Sequence, residues 1–161
     1  MAIPWRSTAP ASGWGIDAPE SKQSCRDEDS LPYRCGAKAA NNPDAFIAQR
    51  PVSCAPVSLD PYGRTVAACT VGGVDLGEWL VREGFALDWA HYSHGRHSTP
   101  QRDAERAGRG IWAGSYVAPW LCRACMRAGG KSDKYLKTLE RVKGIEPSYS
   151  AWKSSNFRND F

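Results

Sequence analysis

The chain has 161 residues, 42% of them apolar and seven of them Trp, enough for one compact core and too few for a second. No apolar run approaches the roughly 18 residues of a membrane span, and residues 1–14 lack the basic start and apolar stretch of a signal peptide. The formal net charge of +4 sits mostly at one end: residues 1–127 carry 14 Lys+Arg against 13 Asp+Glu and residues 128–161 carry 7 against 4, so global charge says little about a nucleic-acid partner.

In chain order, residues 1–12 are rich in Pro, Ala and Ser and are expected to be irregular. Residues 33–49 have helical composition interrupted by Pro43, which costs roughly 3 kcal/mol inside a helix. Asn42 as a cap and Pro43 at a first helical position would split the segment into two helical pieces. Residues 51–59 and 64–71 are rich in β-branched residues and flank Asp60-Pro61-Tyr62-Gly63, the composition of a hairpin turn. Counting outward from that turn sets Cys54 opposite Cys69; Cys25 is expected near Cys35. Over residues 75–86, Asp75 is a cap with Glu78 three positions later, and Leu76, Trp79, Leu80 and Phe85 form an apolar stripe. A last helix is expected from Thr99-Pro100 to Gly108 or Gly110. Residues 94–127 carry six Arg against Asp103 and Glu105 alone, a patch that suits either phosphate or a solvated helix face.

Three separated strings carry the chemistry. They are Gly15-Ile16-Asp17-Ala18-Pro19-Glu20-Ser21, then Asp60-Pro61-Tyr62-Gly63-Arg64, then Gly110-Ile111-Trp112 with Pro119-Trp120 and Arg123. In this order and spacing they resemble the thermonuclease (staphylococcal nuclease-like) family over about residues 13–127. The resemblance implies an α+β domain, an OB-type five-stranded barrel with packed helices. The function it implies is that of a calcium-dependent nuclease, a hydrolase of phosphodiester bonds in DNA or RNA, with single strands favoured. Its substrate is shielded by anionic oxygens, so the work calls for a hard cation in oxygen ligands, a carboxylate to take a proton from water, and a guanidinium to grip two phosphate oxygens. By the same resemblance Asp17 binds calcium through its carboxylate and Ala18 through its backbone carbonyl. Glu20 is the general base, Arg64 the transition-state clamp, and Tyr62 lies against the sugar-phosphate.

The sequence departs from the family in two places. The pattern puts a second catalytic Arg five residues before Asp17, where this chain has Ser12, and an Asp-Gly-Asp stretch well upstream, where this chain has no acidic residue. The first barrel strands are therefore expected to be missing or replaced. Losing one clamp and one metal carboxylate removes several kcal/mol of transition-state stabilisation, a rate loss of about 10³-fold or more. Activity of the chain as given is expected to be weak or absent, and the fold to show open edges.

Residues 128–161 form a basic tail. Within it, residues 139–152 resemble a translated transfer-RNA gene region, so residues from about 131 onward are expected to carry no evolved function. The six cysteines favour an exported, disulfide-bonded domain, and the family is typically secreted or periplasmic, whereas the N-terminus carries no leader signal. Two other readings remain open. His91, His94 and His97 with Cys122 and Cys125 suggest zinc, although one Cys pair and a loose His triplet fit tetrahedral ligation poorly, and a disulfide or two plain thiols suit Cys122 and Cys125 better. A non-catalytic OB-type binding module would use Trp89 and Tyr92 to stack on bases, where core packing is the commoner fate of a Trp. A monomer is expected.

Overall fold

The computed structural model describes residues 12–127 and 129. The segment expected to be irregular lies outside the described residues except for Ser12, as does nearly all of the basic tail. In chain order the elements are β1 (Ser12–Gly13), β2 (Ile16–Asp17), β3 (Cys25–Arg26), β4 (Pro32–Tyr33), α1 (Cys35–Ile47), β5 (Val52–Leu59), β6 (Thr65–Val71), β7 (Val74–Asp75), α2 (Leu76–Arg82), β8 (Leu87–Asp88), α3 (Ala90–Ser93), α4 (Ser98–Arg106), a 3₁₀ turn (Gly110–Ala113) and α5 (Pro119–Arg127). The class is α+β.

The hairpin forms where the turn residues put it. The backbone N–H of Gly63 donates to the Asp60 carbonyl at 2.9 Å, and the N–H of Asp60 donates to the Arg64 carbonyl at 2.9 Å. β5 and β6 pair antiparallel with Cys54 opposite Cys69, and a disulfide joins the two across Cα atoms 4.1 Å apart. The register slips between Pro56 and Ser58, next to a proline that has no N–H for the ladder. β1 joins the other side of β6 in parallel, Ser12 opposite Val66, and β7 also pairs with β6. β5 lies at the sheet edge, and every residue from Ser53 to Leu59 is exposed. Two small ladders stand apart: β2 with β8 and β3 with β4.

The helices differ from expectation in three places. Residues 35–47 make one helix with Pro43 inside it, not two pieces capped by Asn42. Cys35, Ala39, Pro43 and Ile47 recur every fourth residue and all are buried. Proline removes only its own bond to the carbonyl of Ala39, and burial of that continuous face offsets the loss. In α2 the cap is as read, with Asp75 Oδ1 accepting from the Glu78 N–H at 2.9 Å. Of the stripe, however, Leu76 is buried while Trp79, Leu80 and Phe85 are only half-buried, and Val81 is the side chain fully enclosed. The helix opening at residues 98–100 is not the last: α5 follows it.

The main core gathers Cys25, Cys35, Leu87, Ala104, Ile111, Trp112 and Tyr116. A second cluster of Ile47, Val52, Val71 and Leu76 joins α1 to the sheet. Cys25 and Cys35 form a disulfide within the first, across Cα atoms 5.5 Å apart. Gly110 of the Gly-Ile-Trp string explains its own identity: at φ +56° its backbone lies so close to Gly84 that a Cβ would stand 2.3 Å from the Gly84 carbonyl oxygen. Among the described residues no helix is long and apolar enough to cross a membrane.

Candidate active site

Asp17 ends β2, paired with Leu87 of β8, and its side chain is 8% exposed. The chain then turns through Ala18 and Pro19 to Glu20. The turn closes with the Gln23 N–H donating to the Glu20 carbonyl at 2.6 Å, while Gln23 Oε1 accepts from the Glu20 N–H at 3.2 Å. Gln23 is itself 2% exposed, and its Nε2 donates to the Val117 carbonyl at 2.6 Å, fixing the Glu20 turn to the segment that leads into α5. On the other side, the α1 backbone comes so near at Gly36 that a Cβ there would sit 1.7 Å from the Glu20 carbonyl oxygen.

Both carboxylates converge on the guanidinium of Arg123, one turn into α5. Nη1 donates to Asp17 Oδ1 at 2.8 Å and to Glu20 Oε1 at 2.9 Å, and Nη2 donates to Asp17 Oδ2 at 2.5 Å. Bidentate pairing of this kind needs the planar fork of Arg. Burial pushes the Asp17 carboxyl above the usual carboxylate range, the bond and charge of Arg123 pull it back in part, and Glu20 pushes it further up. The bond to Asp17 holds Arg123 more firmly charged than an ordinary guanidinium. Arg123 also lies over the Trp89 ring, 5.7 Å from its centroid. Trp89 in turn stacks on Trp120 at 6.2 Å and meets the edge of Tyr92 at 4.6 Å.

A cavity of about 470 Å³ opens beside this cluster, and Trp14, Asp17, Ala18, Glu20, Ala67 and Arg123 are among its lining residues. The structure thus brings together Asp17, Ala18 and Glu20 at the cavity, with Trp89 and Tyr92 behind Arg123. Tyr62 and Arg64 are elsewhere, on the tip of the β5–β6 hairpin, and do not line that cavity. Tyr62 is 76% exposed; Arg64 bonds Asp60 Oδ2 through Nε at 2.5 Å and lies over the Tyr62 ring at 5.4 Å. Arg123 and Gln23 are the residues the sequence left without a role. The third motif string, which includes Arg123, and the surplus of Arg in residues 94–127 both pointed to the first, though to no role for it, and nothing marked the second.

The zinc reading finds no support among the described residues, where no group of three or more His, Cys, Asp or Glu side chains is placed to hold a metal. Cys122 and Cys125 are buried thiols, not a disulfide, and burial pushes the Cys122 thiol up, away from the thiolate that zinc requires. His91 and His94 are exposed, whereas His97 is buried with neither ring nitrogen hydrogen-bonded among the described residues.

The three motif strings place the chain among staphylococcal nuclease-like proteins, and comparison with known proteins agrees on that family. A model of the staphylococcal nuclease homologue family matches residues 13–114, and the chain belongs to that family. Membership carries the α+β, OB-type fold. The chain is also similar to the succinoglycan biosynthesis protein ExoI of Rhizobium meliloti (strain 1021), at 40% identity over 99 residues. That alignment covers 60% of this chain and 52% of the relative, so the chain spans about half the length of that protein. Asp17, Ala18, Glu20, Tyr62, Arg64, Trp89 and Tyr92 fall inside the matched residues; Arg123 lies beyond them.

Toward a hard cation such as the family's calcium the described residues offer only two carboxylates, Asp17 and Glu20, and no group of three acidic, His or Cys side chains. Three carboxylate oxygens from Asp17 and Glu20 already converge on a single cationic group, for which the guanidinium stands in. Calcium takes about six to eight oxygens, so water, a backbone carbonyl or substrate phosphate would complete the shell.

Proposed function

We propose that the chain is a calcium-dependent nuclease domain that hydrolyses phosphodiester bonds of DNA or RNA, single strands favoured, acting as a monomer on an OB-type five-stranded barrel and turning over slowly as it stands. The observation that carries this reading is the convergence of Asp17 and Glu20 on one cation-sized position at the mouth of a cavity. Asp17, with the Ala18 carbonyl beside it, would hold calcium, which when bound polarises a phosphate and acidifies water. Glu20 is the more exposed of the two carboxylates and one of its oxygens is free of Arg123, which suits it to take a proton from water. Arg64 and Tyr62 would reach substrate from the hairpin. Arg64 is half-exposed at the hairpin tip, where it would meet a phosphate in exchange for its bond to Asp60. Slow turnover follows from Ser12 in place of a second arginine clamp.

The test is cleavage of single-stranded DNA in millimolar calcium, with and without chelator. Chelator should abolish whatever cleavage is found. Glu20→Gln keeps shape and loses proton acceptance; Arg64→Lys keeps charge and loses the fork. Each should lower turnover at least about tenfold with the thermal midpoint nearly unchanged. Cleavage by Glu20→Gln equal to the parent would remove the general base from this scheme.

One observation favours a second reading, a non-catalytic nucleic-acid-binding module: Arg123 already satisfies both carboxylates without any metal. Such a module would bind single strands equally well in calcium and in chelator. Tyr92, 46% exposed, is the better stacking candidate, since Trp89 is covered by Trp120 and Arg123.

A further inference from the structure

We propose that Arg123 is a built-in counter-cation that holds Asp17 and Glu20 in the metal-free chain and must leave them when a divalent cation binds. This rests on the calcium-dependent reading above and adds a residue beyond the family-matched stretch. The fork already takes the carboxylate edge that a metal would use. Arg123 engages both oxygens of Asp17 and one of Glu20, so a metal at that position competes with the guanidinium for the same oxygens. Charge points the same way. Two carboxylates and one guanidinium sum to a residual negative charge, two carboxylates and a divalent cation to none, and all four together crowd a surplus of positive charge into one partly buried spot.

The guanidinium has somewhere to go. It already lies over the face of Trp89, which offers a displaced cation a π surface, and its side chain is 26% exposed, so a path to solvent is open. Position 123 on a short helix that begins at Pro119 allows that movement without disturbing the β2–β8 ladder that seats Asp17. Arg123 therefore serves as a positioning residue. It keeps the two carboxylates together and hydrogen-bonded when no metal is there, and it sets the calcium concentration at which Asp17 exchanges partners and Glu20 is released to act on water.

The test is calorimetric titration of the full chain with calcium chloride, alongside thermal melts in chelator and in calcium, for the parent, Arg123→Gln and Arg123→Lys. Arg123→Gln should melt lower than the parent in chelator, because two carboxylates are left facing each other. It should nonetheless bind calcium at least about tenfold more tightly and gain more thermal stability from it. Arg123→Lys, which keeps the charge and loses the fork, should show a smaller gain in affinity, and it carries the test alone if Arg123→Gln does not fold. A merely structural arginine would lower the melting point in both conditions and leave calcium affinity unchanged or weaker. That result in a folded variant overturns the proposal, as does the absence of calcium binding in every variant. A tightened calcium affinity in Arg123→Gln with no cleavage by any variant would uphold the counter-cation and sink the nuclease reading instead.

Discussion

The turn that carries Asp17 and Glu20 and the hairpin tip that carries Tyr62 and Arg64, the two halves of the proposed site, stand in opposite physical settings. The first is gripped on three sides: by the Gln23 bridge to Val117, by the α1 backbone at Gly36 and by the Arg123 fork. The second projects from an exposed edge strand and is held by its own turn alone, with Arg64 paired four residues back to Asp60. Proteins place groups that must be exact on packed elements and groups that must reach on loops. In the proposed site the carboxylates are thus the packed half and the hairpin arginine the exposed half.

The two disulfides offer the sharpest contrast. They close loops of similar size, with sequence separations of 10 and 15 residues, so chain entropy alone makes each worth roughly 3 kcal/mol, the hairpin bridge slightly more. Packing reverses that order. Cys25 and Cys35 are almost fully buried in the main core, whereas Cys54 is exposed. Replacing Cys25 and Cys35 together by Ala should therefore cost roughly 1–2 kcal/mol more than replacing Cys54 and Cys69, through the cavity left behind. Urea unfolding of the two double variants measures the difference. Equal costs would mean that burial around Cys25 adds nothing and that the two regions are held alike.

A single methyl group probes the same divide. Gly36→Ala forces a Cβ against the Glu20 carbonyl, an overpacking cost of roughly 1–3 kcal/mol that outweighs the gain in helix propensity. It should also displace the Glu20 turn and weaken calcium affinity. Gly63→Ala meets nothing within 4 Å and faces only the strain of φ +77°, about 1 kcal/mol. If Gly36→Ala leaves both the urea midpoint and calcium affinity unchanged, the turn is less tightly gripped than its contacts state.

What was legible in the sequence was local. Asp60 and Gly63 announced the hairpin, counting from them gave the Cys54–Cys69 pair, and Asp75 announced its helix, because in each case the physics lies within a few residues. α1 was misread because a proline's cost is local while its compensation, burial of Cys35, Ala39, Pro43 and Ile47 on one face, is tertiary. The β2–β8 and β3–β4 ladders, two residues per strand, leave no periodicity to read. For the proposed site, motif order singled out Asp17 and Glu20, which lie side by side on one guanidinium. Arg123 stands in the third string, 106 residues from Asp17, but motif order says nothing of the contact between them, which only the tertiary fold makes.

The smallest effect expected lies at the hairpin, and its sign with pH is definite. Partial desolvation pushes the Asp60 carboxyl up, but the backbone and side-chain hydrogen bonds from Arg64 and the N–H of Tyr62 together outweigh it, so the carboxyl sits below its ordinary range. The carboxylate form is therefore favoured by folding. Its contribution is fully present above the ordinary carboxylate value and is lost as pH falls through the lowered folded value. Asp60→Asn keeps an oxygen for the N–H groups of Tyr62 and Arg64 and gives up the charge that Arg64 Nε meets. The variant should be slightly less stable than the parent at neutral pH, and the gap should close as the solution is acidified. Thermal midpoints of both proteins from neutral pH down to about pH 2 measure it, and a gap that does not change with pH would show that the charge on Asp60 is not what holds the turn. Calcium affinity should not move with this substitution, because among the described residues the hydrogen bonds of Asp60 stay within its own turn and those of Arg123 go to Asp17 and Glu20. A shift in that affinity would mean that the two halves of the proposed site are coupled before any substrate joins them.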